Sequence, residues 1–276
     1  MFPGSYYILP LLSVILGYAV ALFLKPTKKT NLKLLMAFSG AFLLSITVMH
    51  LLPEVYESAN NHGLETQVAE IHTEIHVHDH TNHDHDHDHN HDHHNHAEHN
   101  HGHEHNHQSG KIGVYIMLGI LFQIILEFFS KGAEHGHVHG HHEMTKMPWL
   151  LFLSLCIHAL LEGFPVSHHN DLALGIAIHH LPIAVILTSF FLNAKLNKTA
   201  IFFFMITFAF MTPLGTFASE FSPQLEQYYT EISAVVIGIL FHISSTIIFE
   251  SSENHKFNFA KLAMIAIGIV SAYFLS

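Results

Sequence analysis

Apolar residues fall in eight runs near twenty residues each, at about 5–24, 32–54, 112–131, 148–167, 171–193, 199–219, 231–250 and 257–275. The runs are continuously apolar rather than alternating, which predicts helices and not the strands of a barrel. Each has about the ~20 residues a helix needs to cross a hydrocarbon layer. The pattern predicts an all-α, polytopic membrane protein with eight transmembrane helices. Two polar segments interrupt it. Residues 1–59 hold helices 1 and 2, residues 60–110 form a histidine-rich insert, and residues 111–276 hold helices 3 to 8 with a short histidine-rich loop at 134–146.

Composition sharpens this picture. With 49% hydrophobic and only 12% charged residues, the chain is not a soluble domain. Its first apolar run lacks a basic leading region and a small-residue cleavage pattern, so it is read as the first span. All eleven basic residues are lysines. Lys25, Lys28, Lys29 and Lys33 surround the first connection, Lys131 and Lys146 the third, Lys195 and Lys198 the fifth, Lys256 and Lys261 the seventh. With eight crossings, those ten share one face and only Lys111 lies on the other, which predicts a bacterial-type plasma membrane protein with both termini extracytoplasmic. The lone Cys156 excludes a disulfide framework and a cysteine-based zinc ribbon, and is expected to pack within a helix. The formal charge of -11 says little about partners, because much of the acid lies in the histidine-rich insert. Nothing in the composition points to nucleic acid.

That insert carries eighteen histidines between His62 and His107, alternating with Asp, Asn and Glu. It cannot bury an apolar core and is expected to be disordered without metal. Its imidazole and carboxylate donors suit Zn(II), Cu(II) and Ni(II). The lysine pattern puts it outside the cell and puts the second tract, Glu134 to Glu143, in the cytoplasm. Metal-binding tracts on both faces suggest metal arriving and leaving.

The sharper signal is ionisable residues inside the apolar runs, where they are expensive and mark function by default. His158 and Glu162 are spaced i, i+4, so on a helix they share one face and can hold one cation. His179 and His180 stand in the next run, just before Pro182. If the two runs are antiparallel helices turning at His168 and His169, both imidazole positions lie about ten residues from the turn, ~15 Å of rise, and so at one depth. Pro182 frees a carbonyl, which in a membrane is tolerated where backbone lines a cavity or is otherwise satisfied. His50 and Glu54 repeat the i, i+4 spacing near the outer end of the second run and form a candidate mouth, against simple interfacial snorkelling. His242 reaches nearly the same depth and either lines the same path or bonds to Ser244 or Ser245. Gln123, Glu127 and Glu250 are candidates for an inner exit, and His168, His169 and Asp171 form an outer-loop cluster.

These residues together resemble the ZIP (Zrt-, Irt-like) metal transporters: HLLPE in the second run, HxxxEG followed by Pro165 in the fourth, and AIHHLP in the fifth. The resemblance covers nearly all of the chain outside the tracts. Three departures stand out. Ala159 replaces the family's usual Asn, Ile183 stands where a second ligand is expected, and Thr212 occupies the place before Pro213-Leu214-Gly215 that often holds Glu. The connection between the fourth and fifth spans is also shorter than usual. The resemblance implies a binuclear centre on those spans, with a homodimer as the family's assembly. The departures remove mainly ligands of the second metal, leaving one site of His158, Glu162, His179 and His180.

The expected activity is import of zinc, or of Fe, Co, Ni or Mn, across the bilayer, with the metal as transported substrate. A cation-diffusion exporter would need about six spans and His/Asp quartets, which are missing. A membrane metal sensor or store would confine binding to the tracts and leave His158 and Glu162 dispensable. An enzyme is not expected, since no HExxH motif or Ser/Lys pair stands in the spans.

Overall fold

The computed structural model describes residues 5–24, 29–59, 105–130, 148–250 and 259–275, and those residues are helical almost throughout. The helices are α1 (Ser5–Leu24), α2 (Lys29–Ile46), α3 (His105–Ser130), α4 (Trp149–Glu162), α5 (Asn170–Asn193), α6 (Lys198–Phe221), α7 (Tyr229–Glu250) and α8 (Phe259–Leu275). Helix α2 runs through a π-helical turn, Thr47–Leu51, into a further helical stretch at 52–59. A 3-10 turn, Phe164–Ser167, joins α4 to α5. Among the described residues, six helical stretches are long and apolar enough to cross a membrane, and two shorter apolar helices, Tyr7–Phe23 and Phe259–Leu275, accompany them. At 17 residues, α8 rises only ~25 Å, just short of a hydrocarbon layer. The chain is a multi-pass, all-α membrane protein.

Local chemistry explains the ends. Asn197 caps α6, its side chain accepting from the Thr199 N–H at 2.9 Å. Lys261 donates to the Ile248 carbonyl at 2.6 Å, satisfying one of the last carbonyls of α7. Pro10, Pro182 and Pro213 lie inside helices that continue through them. The outer surface is greasy, with Phe23, Phe128, Trp149, Phe259 and Phe274 standing exposed, as suits lipid contact rather than water.

Among the described residues, the eight longer helices sort into two four-helix bundles, which meet where α2 packs on α5; a single short turn of helix, Pro223–Glu226, stands apart from them. In the first, α5 packs on α1, and α6 packs on both α1 and α4; in the second, α7 packs on α3 and α2, and α8 on α2. Glycines show how close these approaches are. A Cβ on Gly163 would lie 2.1 Å from the Thr212 carbonyl, and one on Gly215 1.9 Å from that of Leu160, so α4 and α6 touch backbone to backbone. Gly119 and Gly238 do the same for α3 and α7, at 2.0 Å from the Val235 and Ile116 carbonyls. Small residues are the usual device for such contact in membranes. At Gly175, where α5 meets α2 across the seam, the contact is softer: a Cβ there would meet the side chains of Leu43, Ile46 and Phe42, at 3.3, 3.4 and 3.9 Å, and no backbone.

One boundary differs from the sequence expectation. Helix α3 starts at His105, inside the stretch 60–110 expected to be disordered. Once an apolar run anchors a helix, extending it by a turn adds a hydrogen bond per residue without a new nucleus. Residues 60–104 and the loop 134–146 lie outside the described residues.

Candidate metal centre

Helix α4 ends on Glu162, and its position follows from the α4–α6 contact. Gly163, the next residue, sits against Thr212, and the Thr216 hydroxyl donates to the Gly163 carbonyl at 2.8 Å. The end of α4 is thereby pinned to α6. By contrast α4 packs chiefly on α6 and α5 chiefly on α1, so these two helices meet mainly through side chains.

Those side chains converge on one carboxylate. His158 Nε2 lies 3.1 Å from Glu162 Oε1, and His180 Nε2 lies 3.0 Å from Glu162 Oε2. His179 completes a second set: ligand atoms of His158, Glu162 and His179 all lie within 4.8 Å of one another, a spacing that can hold a metal ion. All four residues are buried, Glu162 and His179 at 0% exposure. An unpaired carboxylate in such a place would be costly, and here two imidazoles share it. Adjacent histidines on a helix point about 100° apart, which explains why His179 and His180 reach different sides of Glu162. His180 is further confined by the Phe208 ring, with centroids 5.3 Å apart.

The positions at which the chain departs from the family pattern are also buried. Ile183 packs in an apolar cluster with Leu187, Phe204 and Phe208. Thr212 is 1% exposed, and its hydroxyl has no hydrogen-bond partner. Neither supplies a charged ligand.

The other singled-out residues fall into two places. At the end of the bundles where the 3-10 turn joins α4 to α5, Glu54 Oε2 lies 2.7 Å from His169 Nε2, while the His50 Nε2 atom is buried without a hydrogen-bond partner. Burial holds the His169 imidazole below its usual pKa range, with nearby His168 and His50 acting the same way against Glu54 and Asp171. The His168 ring lies tilted against that of Tyr229, centroids 4.4 Å apart, and Asp171 occupies the first turn of α5, where an acid suits the helix dipole. In the second bundle, His242 Nε2 lies 2.8 Å from Glu127 Oε2. Ser245 donates instead to the Phe241 and His242 carbonyls, so the ring of His242 turns to α3 and not to a nearby serine. His242 is not part of the three-residue group around Glu162. Gln123, one turn before Glu127, is 1% exposed with its Oε1 unpartnered. Glu250 closes α7, and its side chain lies outside the described residues.

Two of these contacts were not foreseeable from spacing. Glu127 and His242 are 115 residues apart, and Glu54 and His169 belong to different bundles. The signal was only that each is an ionisable residue in or beside an apolar run, with its partner unspecified.

A family model described as ZIP zinc transporter matches residues 59–276, taking in α3 to α8 and all four residues around Glu162. Helices α1 and α2, with His50, lie outside the matched range. No curated protein matches the chain.

Proposed function

The chain belongs to the ZIP zinc transporter family and so is a divalent-metal transporter; from that premise we propose that it carries zinc, or a related transition metal, into the cytoplasm through His158, Glu162 and His179. The observation that carries this reading is the cluster itself: two imidazoles and a carboxylate whose ligand atoms lie within 4.8 Å, wholly buried at mid-span. Imidazole with one carboxylate suits zinc, iron, cobalt or nickel better than magnesium or calcium. Zn–N and Zn–O bonds of about 2.0–2.2 Å need only small movements of these groups.

The residues divide the work. His158 and His179 supply neutral nitrogen, Glu162 supplies charge, and His180 holds the far carboxylate oxygen so that Oε1 faces the cation. Such orienting partners matter nearly as much as ligands. Ile183 and Thr212 supply no carboxylate for a second ion, so the centre takes one metal. Release follows from loss of the geometry or from protonation of the imidazoles, since metal needs them deprotonated. The soft seam between the bundles supports a motion in which the first bundle shifts against the second, exposing the centre to one side and then the other. The direction rests on the lysines, which put the connections after α1, α3, α5 and α7 in the cytoplasm. The histidine tract at 60–104 then faces outward and concentrates metal.

Zinc flux into proteoliposomes tests this reading. Wild-type protein should accumulate zinc against background, and Glu162→Gln should not, with both histidine tracts intact. Zinc binding without flux in the wild type would favour a sensor or store.

A further inference from the structure

The first bundle meets the second at both ends of the seam, and the two ends are held differently. At one end lies the turn Phe164–Ser167 with the two histidines that follow it. This turn is fixed to the first bundle: the Thr216 hydroxyl of α6 donates to the Gly163 carbonyl at 2.8 Å, and the Ser167 hydroxyl donates to that of Ser219 at 3.2 Å. Toward the second bundle it presents side chains. His169 Nε2 lies 2.7 Å from Glu54 Oε2, in the helical stretch that extends α2. The Phe164 and His168 rings lie against Tyr229, the first residue of α7, with centroids 5.9 and 4.4 Å apart. Val166 is 0% exposed, in an apolar cluster that holds Leu51, Val55 and Val236 of the second bundle. Toward the other end of the seam, the Ser154 hydroxyl of α4 donates to the Leu126 carbonyl of α3 at 3.3 Å, long for a bond from a hydroxyl.

We infer that the Glu54–His169 contact and the rings around Tyr229 form a latch between the bundles, which shuts the seam at the turn and opens as a unit to give access to Glu162. That the opening admits a metal ion rests on the transport reading; the closure does not. The latch is the direct continuation of the helix that bears the carboxylate, since Phe164 follows Glu162 after a single residue, Gly163. Along α5, His180 is eleven residues beyond His169, so the metal centre lies ~16 Å below the latch. With the latch shut, His158, Glu162, His179 and His180 are all buried, and a hydrated cation does not cross the apolar packing around Val166. Each contact is modest alone: the Glu54 side chain is 38% exposed, and an ion pair so open to water contributes little. Several weak contacts across the seam, set against firm hydrogen bonds within the first bundle, are what a closure that opens in every cycle needs. When the bundles part, the turn leaves with α6 and releases Glu54 and Tyr229.

The test reads thiol reactivity in the full chain in membranes. Val166→Cys puts a thiol in the closed seam, and Ser219→Cys puts one at the same end but inside the first bundle, where Ser219 is 3% exposed. The native Cys156 is buried and common to both. With a membrane-impermeant reagent, Glu54→Gln should raise the rate at position 166 about threefold, the scale of one half-exposed ion contact governing a local opening, and leave the rate at position 219 unchanged. An unchanged rate at position 166 would overturn the latch. Should Glu54→Gln raise both rates equally by general loosening, His169→Gln repeats the comparison from the other side of the contact, and equal rises again would overturn it. Flux tests the opening. Joining Glu54→Cys to His169→Cys through a short reducible linker should cut zinc uptake about tenfold or more until reductant is added. Joining Tyr7→Cys to Glu220→Cys, a contact of α1 with α6 inside the first bundle, should leave uptake unchanged. Full uptake with the seam pair joined would overturn the latch. Failure of the transport reading alone shows as no uptake in the unjoined protein, with the difference between positions 166 and 219 still in place.

Discussion

The two bundles treat their buried charges differently. In the second, Glu127 has one imidazole, His242 at 2.8 Å, and the two sit as a matched pair between α3 and α7. In the first, one carboxylate is surrounded by three imidazoles: His158 and His180 touch it at 3.1 and 3.0 Å, and His179 stands within 4.8 Å of His158 and Glu162. A matched pair needs nothing more. An excess of neutral nitrogen donors around one charge has no structural purpose that a single hydrogen bond would not serve, and it is what a cation requires. Backbone contact follows the same division. Each bundle is knit by glycines at backbone distance, whereas at Gly175, where α5 meets α2 across the seam, a Cβ would meet side chains and not backbone.

The largest effect should come from the carboxylate. Glu162→Gln keeps the shape and removes the charge, and zinc flux should fall by about 100-fold or more, exceeding the 10- to 100-fold loss typical of removing an orienting partner. His180→Gln should cost about 10- to 100-fold in apparent zinc affinity, read from the concentration dependence of flux, with the fold intact. If His180→Gln proved as severe as Glu162→Gln, His180 would be a ligand and not an orienting residue.

Glycine variants probe the division between bundles and seam. Gly215→Ala drives a Cβ into the Leu160 carbonyl, which cannot swing away, and should destabilise the protein by about 3 kcal/mol or more in thermal unfolding in detergent. Gly175→Ala meets side chains and no backbone and should cost under about 1 kcal/mol, while slowing transport if the bundles slide past each other. Equal destabilisation by the two would erase the distinction.

His242→Ala should destabilise by about 1–3 kcal/mol, because it leaves the half-buried Glu127 carboxylate without its imidazole. Flux should survive. Loss of flux with unchanged stability would instead put His242 on the cation's path. The smallest effect belongs to the tract: deleting residues 60–104 should raise the zinc concentration needed for half-maximal uptake and spare maximal flux.

Much of this was legible from the chain. The apolar runs located the helices, and the i, i+4 spacing of His158 and Glu162 required them to share a face. The histidine pair before Pro182 marked α5. Spacing along one helix could not say which of His179 and His180 falls in the group with His158 and Glu162 and which sits against the other carboxylate oxygen, because that depends on how α5 is rotated by its packing on α1. Nor could it pair His242 with Glu127: Ser244 and Ser245 offered local bonds, but Ser245 donates to backbone carbonyls at i-3 and i-4 and the Ser244 hydroxyl bonds to neither. The Glu54–His169 contact depends on how two bundles meet, which no local pattern encodes. The start of α3 was misplaced for a similar reason, since histidine-rich composition argued for disorder while the adjoining apolar run extended its own helix.

Diffraction from zinc-soaked crystals, collected at the zinc absorption edge, locates the transported ion. The arrangement around Glu162 predicts an anomalous peak about 2.0–2.1 Å from nitrogens of both His158 and His179 and bonded to the Glu162 carboxylate. A peak confined to the histidine tracts, with nothing beside Glu162, would contradict it.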